Sequence, residues 1–254
     1  MTTPPHASPR IEVHEDDRAL ATAVAGELLT RLADAQAAGR VPQIALTGGT
    51  IAEVVHREIA RLAPGSEVDW TRVVVWWGDE RYVEPGSPDR NAGQAREAFL
   101  SVVGVPDENV HEVPTTADCA SVEEAAAAYA ETLRTHGASE LEVVMLGLGP
   151  DAHVASLFPG HPALDVRGTT TVAVHDSPKP PPERVSLTFE ALNANRALWF
   201  LVSGEGKAEA VARALAGRTG AGEDVADVHD VPAAGVSGGE ETIWFLDRAS
   251  ASRL

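Results

Sequence analysis

Short apolar runs recur along this chain, separated by longer stretches rich in Ala and Leu, and no other feature constrains its fold as tightly. Arg10 to His14, Gln43 to Thr47, Val73 to Trp77, Leu141 to Leu146, Thr170 to His175, Arg184 to Leu187, Arg196 to Val202 and Thr242 to Leu246 read as strands. Asp16 to Ala38, Thr50 to Leu62, Asn91 to Ser101, Ser121 to His136 and Lys207 to Ala216 read as helices. Val73 to Trp77 is continuously apolar, as expected for a strand covered on both faces. Gly39 and Pro42 close the first helix, and Ser121 with Glu124 makes a capping-box pair for the fourth.

Strand–helix alternation implies a mostly parallel sheet with right-handed crossovers. The expected fold class is therefore α/β and Rossmann-like, with helices on both faces and a small inserted segment near residues 160–195. Residues 1–9 are expected to form a disordered tail, and 10–254 a single domain. Gly217 to Asp230, Gly-rich and then acidic, reads as a mobile surface loop.

Charge narrows the partners. The chain has 254 residues, 38 acidic and 20 basic, for a formal charge of −18. That balance opposes nucleic-acid binding, which needs a basic footprint. No apolar run approaches the length that crosses a bilayer, and Met1 to Arg10 has no apolar segment of a secretory signal. A single cysteine, Cys119, rules out an internal disulfide and suits a reducing cytoplasm, the expected location. No clustered His and carboxylate pattern suggests a metal, so none is expected, nor any cofactor. If the ligand is an anion, local cations must overcome the global field. Lys179 and Lys207 are the only lysines.

In an open parallel sheet, ligands bind beyond the carboxyl ends of the strands. Four loops leave strands there. Thr47-Gly48-Gly49-Thr50 places two glycines before a helix N-terminus, which suits a phosphate, although a tight turn explains it equally well. Gly78-Asp79-Glu80-Arg81 carries three charges, of which Arg81 could grip an anion or an oxyanion. Gly147 to Gly160 holds Asp151 and His153 two apart, so the carboxylate could orient the ring as a general base. Ser156 stands nearby, without the G-x-S-x-G elbow of a serine hydrolase. Ser203 to Lys207 puts a cation at a helix start, an unfavourable place unless it holds an anion. Lys179 to Arg184 sets two cations around a stiff proline segment.

Together these segments resemble the glucosamine-6-phosphate isomerase/6-phosphogluconolactonase family, on its lactonase side. The carrying residues are Leu46 to Thr50, Asp79 to Val83, Asp89-Arg90-Asn91, Gly147 to Gly160 and Lys179 to Leu187, in order across residues 10 to 248. The resemblance implies a cofactor-free enzyme that hydrolyses a phosphorylated sugar lactone, 6-phospho-D-glucono-1,5-lactone; a monomer is expected rather than an oligomer. Gly48, Gly49 and Thr50 would cradle the phosphate, with Arg184 and Lys207 as counter-charges and Lys179 in a second tier. Arg81 and Asp79 would face the substrate. His153 would activate water, and Asp151 would orient it.

Two departures stand out. Ala152 replaces the family's usual glycine in Asp-Gly-His, and Ile51 stands where a proline is common. At a positive φ, Ala152 would cost about 1 kcal/mol. The deaminase relatives place a tyrosine after the Asp-Glu pair, where this chain has Arg81. They carry a catalytic glutamate five residues after the loop histidine, where this chain has Phe158. A non-catalytic sugar-phosphate sensor is the other alternative, but no basic helix-turn-helix precedes Gln43.

Overall fold

The structure is a computed structural model that describes residues 8–137, 139–216 and 226–254. Most of the expected tail, and residues 217–225 of the expected loop, lie outside the described residues. Six strands form one sheet: β1 (Arg10–His14), β2 (Gln43–Leu46), β3 (Val74–Trp77), β5 (Leu141–Gly147), β8 (Asn195–Val202) and β9 (Glu241–Asp247). Their spatial order is β1-β9-β8-β5-β2-β3, and every pairing is parallel. The α/β class with a parallel sheet is thus the observed architecture.

Side-chain alternation along the strands builds two cores. On one face Ile44, Val75, Trp77, Met145, Trp199 and Phe245 pack under helices α1 (Asp17–Ala37) and α2 (Thr50–Leu62). On the other face Ala45, Trp76, Val144, Phe200 and Trp244 pack under α5 (Val122–His136) and α7 (Ala208–Leu215). Side-chain caps satisfy free N–H groups at the start of the two longest helices, α1 and α5. Asp16 accepts from the Ala19 N–H at 2.8 Å to start α1. Ser121 accepts from the Glu124 N–H, and the Glu124 carboxylate returns to the Ala120 N–H at 3.0 Å. The expected capping box is present, but its return bond reaches one residue further back.

A second, antiparallel sheet has the order β4-β7-β6, with β4 (Asp79–Arg81), β6 (Thr171–Val174) and β7 (Arg184–Leu187). Two of its strands lie in the expected inserted segment. The third corrects an expectation: Asp79-Glu80-Arg81 is not a loop but a strand, in register with Ser186, Val185 and Arg184. Its charges read as loop-forming, yet β7 supplies the partners that its backbone requires. Between β3 and β7 the chain runs through α3 (Asn91–Ala95), a π-helical turn at Arg96–Leu100, α4 (Ser101–Val103), α5 and β5; α6 (Phe189–Leu192) follows β7.

His56, on α2, is fully buried against Phe99 at a ring separation of 4.9 Å. Burial lowers its pKa from 6.5 to about 4, so the folded chain holds it neutral while the unfolded chain takes up a proton below pH 6.5. Its contribution is complete above pH 6.5 and is lost as pH falls towards 4. Urea unfolding at pH 7 and pH 4.5 should show a pH-dependent loss smaller by about 2 kcal/mol in His56→Leu than in the natural chain. Equal losses in the two proteins would contradict a buried neutral His56.

Candidate active site

The chain winds outward from β2 to β3, then returns to place β5 on the other side of β2. The β2–β5 junction is therefore the point where the winding reverses, the place where open α/β sheets bind ligands. The loops leaving these two strands are tied together: the Gly147 N–H donates to Thr47 Oγ1 at 3.2 Å. A cleft of about 230 Å³ opens there.

Thr47-Gly48-Gly49-Thr50 runs from the end of β2 into the start of α2. Gly49 is the N-cap of α2 at φ +100°, a left-handed backbone, and provides no side-chain cap for the first N–H groups of the helix. Gly48 is required for space, because a Cβ there would sit 1.8 Å from Asn91 Oδ1. Thr47, Gly48 and Gly49 line the cleft. Thr50, expected in the cradle with the two glycines, is exposed as the first residue of α2 and is not among the residues that line the cleft.

Both lysines of the chain line this cleft, together with Arg81 and Arg184. Arg81 and Arg184 are directly opposed across the β4–β7 pair. Like charges in that position repel, and the proximity of Arg81 adds to burial in lowering the Arg184 pKa. A bound anion would relieve the repulsion. Arg184 is 4% exposed and mostly committed. It donates to the carbonyls of Lys179 at 2.9 Å, Pro180 at 3.3 Å and Pro181 at 3.2 Å, and its Nη1 lies 4.0 Å from Asp79. Lys207 Nζ donates to the Leu148 carbonyl at 2.6 Å. Burial, then the charge of Lys179, pulls the Lys207 pKa below its usual range, although Asp151 opposes this. Lys179 is exposed at the rim. Such a cationic set suits an anion rather than a metal ion.

Asp151 and His153 meet as expected, with Nδ1 of the ring 2.5 Å from Asp151 Oδ1. Burial pushes the Asp151 carboxyl up, but the hydrogen bond and charge of His153 outweigh it and hold the group at about 2. Asp151 therefore stays ionised at neutral pH and accepts the Nδ1 proton, which leaves Nε2 as the acceptor. Gly149 makes room for the pair, since a Cβ there would stand 2.0 Å from His153 Nδ1 and 2.3 Å from Asp151 Oδ1. Ala152 between them is fully buried at φ +68°, so the glycine replacement does carry left-handed strain of about 1 kcal/mol. The pair forms regardless. Phe158 is buried with its ring 4.5 Å from that of His153, a wall of the site with no proton to give.

The residues that sequence reasoning left without a role are Asn91, Glu80 and Ser156. Ser156 donates to Asp79 Oδ2 at 2.6 Å and is not a partner of His153. Glu80 is fully buried and accepts from the N–H groups of Arg81, Asn91 and Ala92 at 2.8, 2.9 and 2.8 Å. Burial raises its pKa against those bonds and the nearby Arg90. The Asp89-Arg90-Asn91 segment was the available signal for Asn91, but nothing local shows that the chain folds it back onto β4. A larger, more apolar groove of about 680 Å³ lies at the opposite ends of β5 and β8, by Leu141 and Ala194, and none of the candidate site residues lines it.

The architecture is α/β, with a cation-lined cleft at the carboxyl ends of its parallel strands. A family model described as "Glucosamine-6-phosphate isomerases/6-phosphogluconolactonase" matches residues 15–244, and the chain belongs to this family. It is 43% identical to 6-phosphogluconolactonase of Streptomyces coelicolor, over 97% of this chain and 95% of that one. It is 39% identical to 6-phosphogluconolactonase of Mycobacterium tuberculosis, over 97% and 99%. Among solved structures, 6-phosphogluconolactonase of Thermotoga maritima superposes with a TM-score of 0.79 at 27% identity, covering 94% of this chain and 99% of that one.

The tautomer of His153 is directly measurable. Long-range ¹H–¹⁵N NMR correlations should find the neutral ring protonated on Nδ1, and a mixture of tautomers in Asp151→Ala. A ring protonated mainly on Nε2 in the natural chain would contradict the orienting role of Asp151.

Proposed function

We propose that this chain hydrolyses 6-phospho-D-glucono-1,5-lactone to 6-phospho-D-gluconate, with His153 as the base that activates water. One observation carries the choice of reaction within the family. The Phe158 ring lies 4.5 Å from that of His153, tilted by 47°, at the position where the deaminase relatives have a proton-transferring glutamate. Without that carboxyl, the remaining groups suit opening of an activated ester by water.

In this reading, His153 Nε2 takes a proton from water as its oxygen attacks the lactone carbonyl carbon. The carbonyl π electrons move onto oxygen, and Arg81 stabilises the oxyanion. Collapse restores the carbonyl and breaks its bond to the ring oxygen. His153 returns the proton to that departing oxygen, and the product is an open-chain carboxylic acid that ionises in water. Asp151 stabilises the transient imidazolium. No covalent intermediate is required, because a δ-lactone is already reactive.

The phosphate would lie against Gly48, Gly49 and the N-terminus of α2, with Lys207 and the uncommitted side of Arg184 as counter-charges and Lys179 at the rim. Asp79, fixed by Ser156, would accept from a sugar hydroxyl. Binding energy from the phosphate, remote from the reacting carbon, orients the carbonyl towards His153. Every residue invoked comes from one chain, so the reading requires no second subunit.

Freshly generated 6-phosphogluconolactone, made in place from glucose 6-phosphate by its dehydrogenase, tests this against the spontaneous background. The natural chain should accelerate lactone opening. His153→Ala should lower kcat by about 10²–10⁴-fold with little change in KM. Lys207→Ala should raise KM by about 10-fold or more with a smaller effect on kcat. Near-normal kcat in His153→Ala would remove it as the base. Ammonia release from glucosamine 6-phosphate without lactone opening would favour the deaminase, and ligand binding without turnover the sensor.

A further inference from the structure

Arg81 is held in an unusual way for a cation in an acidic chain. Its Nη1 donates to two neutral oxygens, the Asp89 carbonyl at 2.7 Å and the carboxamide oxygen of Asn91. The carboxylates close to it are occupied elsewhere. Glu80 accepts from three backbone N–H groups, and Asp79 is bound by Ser156 and lies beside Arg184. Arg81 Nε is buried and has no partner among the described residues. The guanidinium is thus fixed in direction by neutral oxygens, and no ion pair holds it among the described residues.

Asn91 is the junction of this arrangement. It is 2% exposed and lines the cleft. Its Nδ2 donates to the Asp79 carbonyl at 2.9 Å, which fixes the orientation of its amide and turns Oδ1 towards Arg81. Its carboxamide occupies the space that a Cβ on Gly48 would need, so it also packs beneath the glycine loop. Glu80, through the Asn91 and Ala92 N–H groups, folds the start of α3 back onto β4 and holds Asn91 in place. One side chain therefore touches the candidate phosphate loop, the backbone of Asp79 and the guanidinium of Arg81.

We propose that Asn91 is the positioning residue for Arg81: a neutral acceptor that aims the guanidinium at the reacting carbonyl without cancelling its charge, and that keys it to the glycine loop. The proposal rests on the lactonase reading for its kinetic consequences, but not for its structural one. A carboxylate in the same place would hold Arg81 equally well and neutralise it. An alanine would leave the charge but release the direction.

The test combines a double-mutant cycle with a ligand-free measurement. Asn91→Ala should lower kcat by about 10-fold or more with a smaller change in KM. Combined with Arg81→Ala, it should add almost no further loss, because Asn91 acts through Arg81. Asn91→Asp, which fills the same space, should also lose at least about 10-fold in kcat, whereas a purely packing role predicts activity close to natural. Thermal unfolding of each variant reports whether the fold is retained, and the Asp variant serves if the Ala variant does not fold. Independently of any activity, ¹⁵N relaxation of the Arg81 Nε–H should show a more mobile guanidinium in Asn91→Ala than in the natural chain or in an exposed control, Gln94→Ala. Multiplicative losses in the double variant, or unchanged Arg81 mobility, would overturn the proposal. Loss of the lactonase reading alone would show as an inactive natural chain with the mobility difference intact.

Discussion

An acidic chain that must hold an anion faces one dominant constraint, and this structure answers it by concentrating charge. The chain carries −18 overall, yet both of its lysines and two arginines line one small cleft. The neighbouring negative charge is largely occupied. Glu80 is saturated by backbone N–H groups, Asp79 is held by Ser156 beside Arg184, and Asp151 is bound to His153. Arg81, Arg184 and Lys207 are oriented mainly by neutral oxygens. Coulomb attraction for a doubly charged ligand is therefore strongest in the low-dielectric cleft, where screening is weakest.

The scaffold that makes this possible is the junction of two sheets. The parallel sheet delivers the Gly48-Gly49 turn and the Asp151–His153 loop side by side at the β2–β5 reversal, tied by the Gly147–Thr47 bond. The small antiparallel sheet delivers Arg81 and Arg184 face to face from β4 and β7. The site is locally costly. Two like charges oppose each other, and Ala152 and Ala155 hold positive φ values of 68° and 49°. Each such residue stores on the order of 1 kcal/mol that the apolar layers on both faces of the sheet must exceed. The strain gathers in the loop that carries Asp151 and His153.

Much of this was legible before any coordinates. Strands such as Leu141 to Leu146 are continuous apolar runs, and a run buried on both faces leaves little choice of structure. The glycine loops after β2 and β5 stand out because their polar residues follow such runs directly. Three features were not legible, each because its cause is long-range. Asp79-Glu80-Arg81 has no strand pattern of its own and becomes β4 through Ser186, Val185 and Arg184, about a hundred residues away. Thr50 adjoins the two glycines in the sequence, but only the fold shows that it starts α2 exposed and outside the cleft lining. Asn91 reads as an ordinary helix-start residue, and only the fold puts its carboxamide against both Gly48 and Arg81.

The central claim is directional: the phosphate lies at the glycine turn and Lys207, and the reacting carbon lies between His153 and Arg81. A crystal structure of the natural chain with 6-phospho-D-gluconate bound tests this most directly. The account predicts the phosphate against the Gly48–Gly49 backbone and Lys207 Nζ, with the product carboxylate within hydrogen-bond reach of His153 Nε2 and Arg81. A ligand bound in reverse, with its phosphate on Arg81 and its carboxylate at the glycine turn, would contradict it.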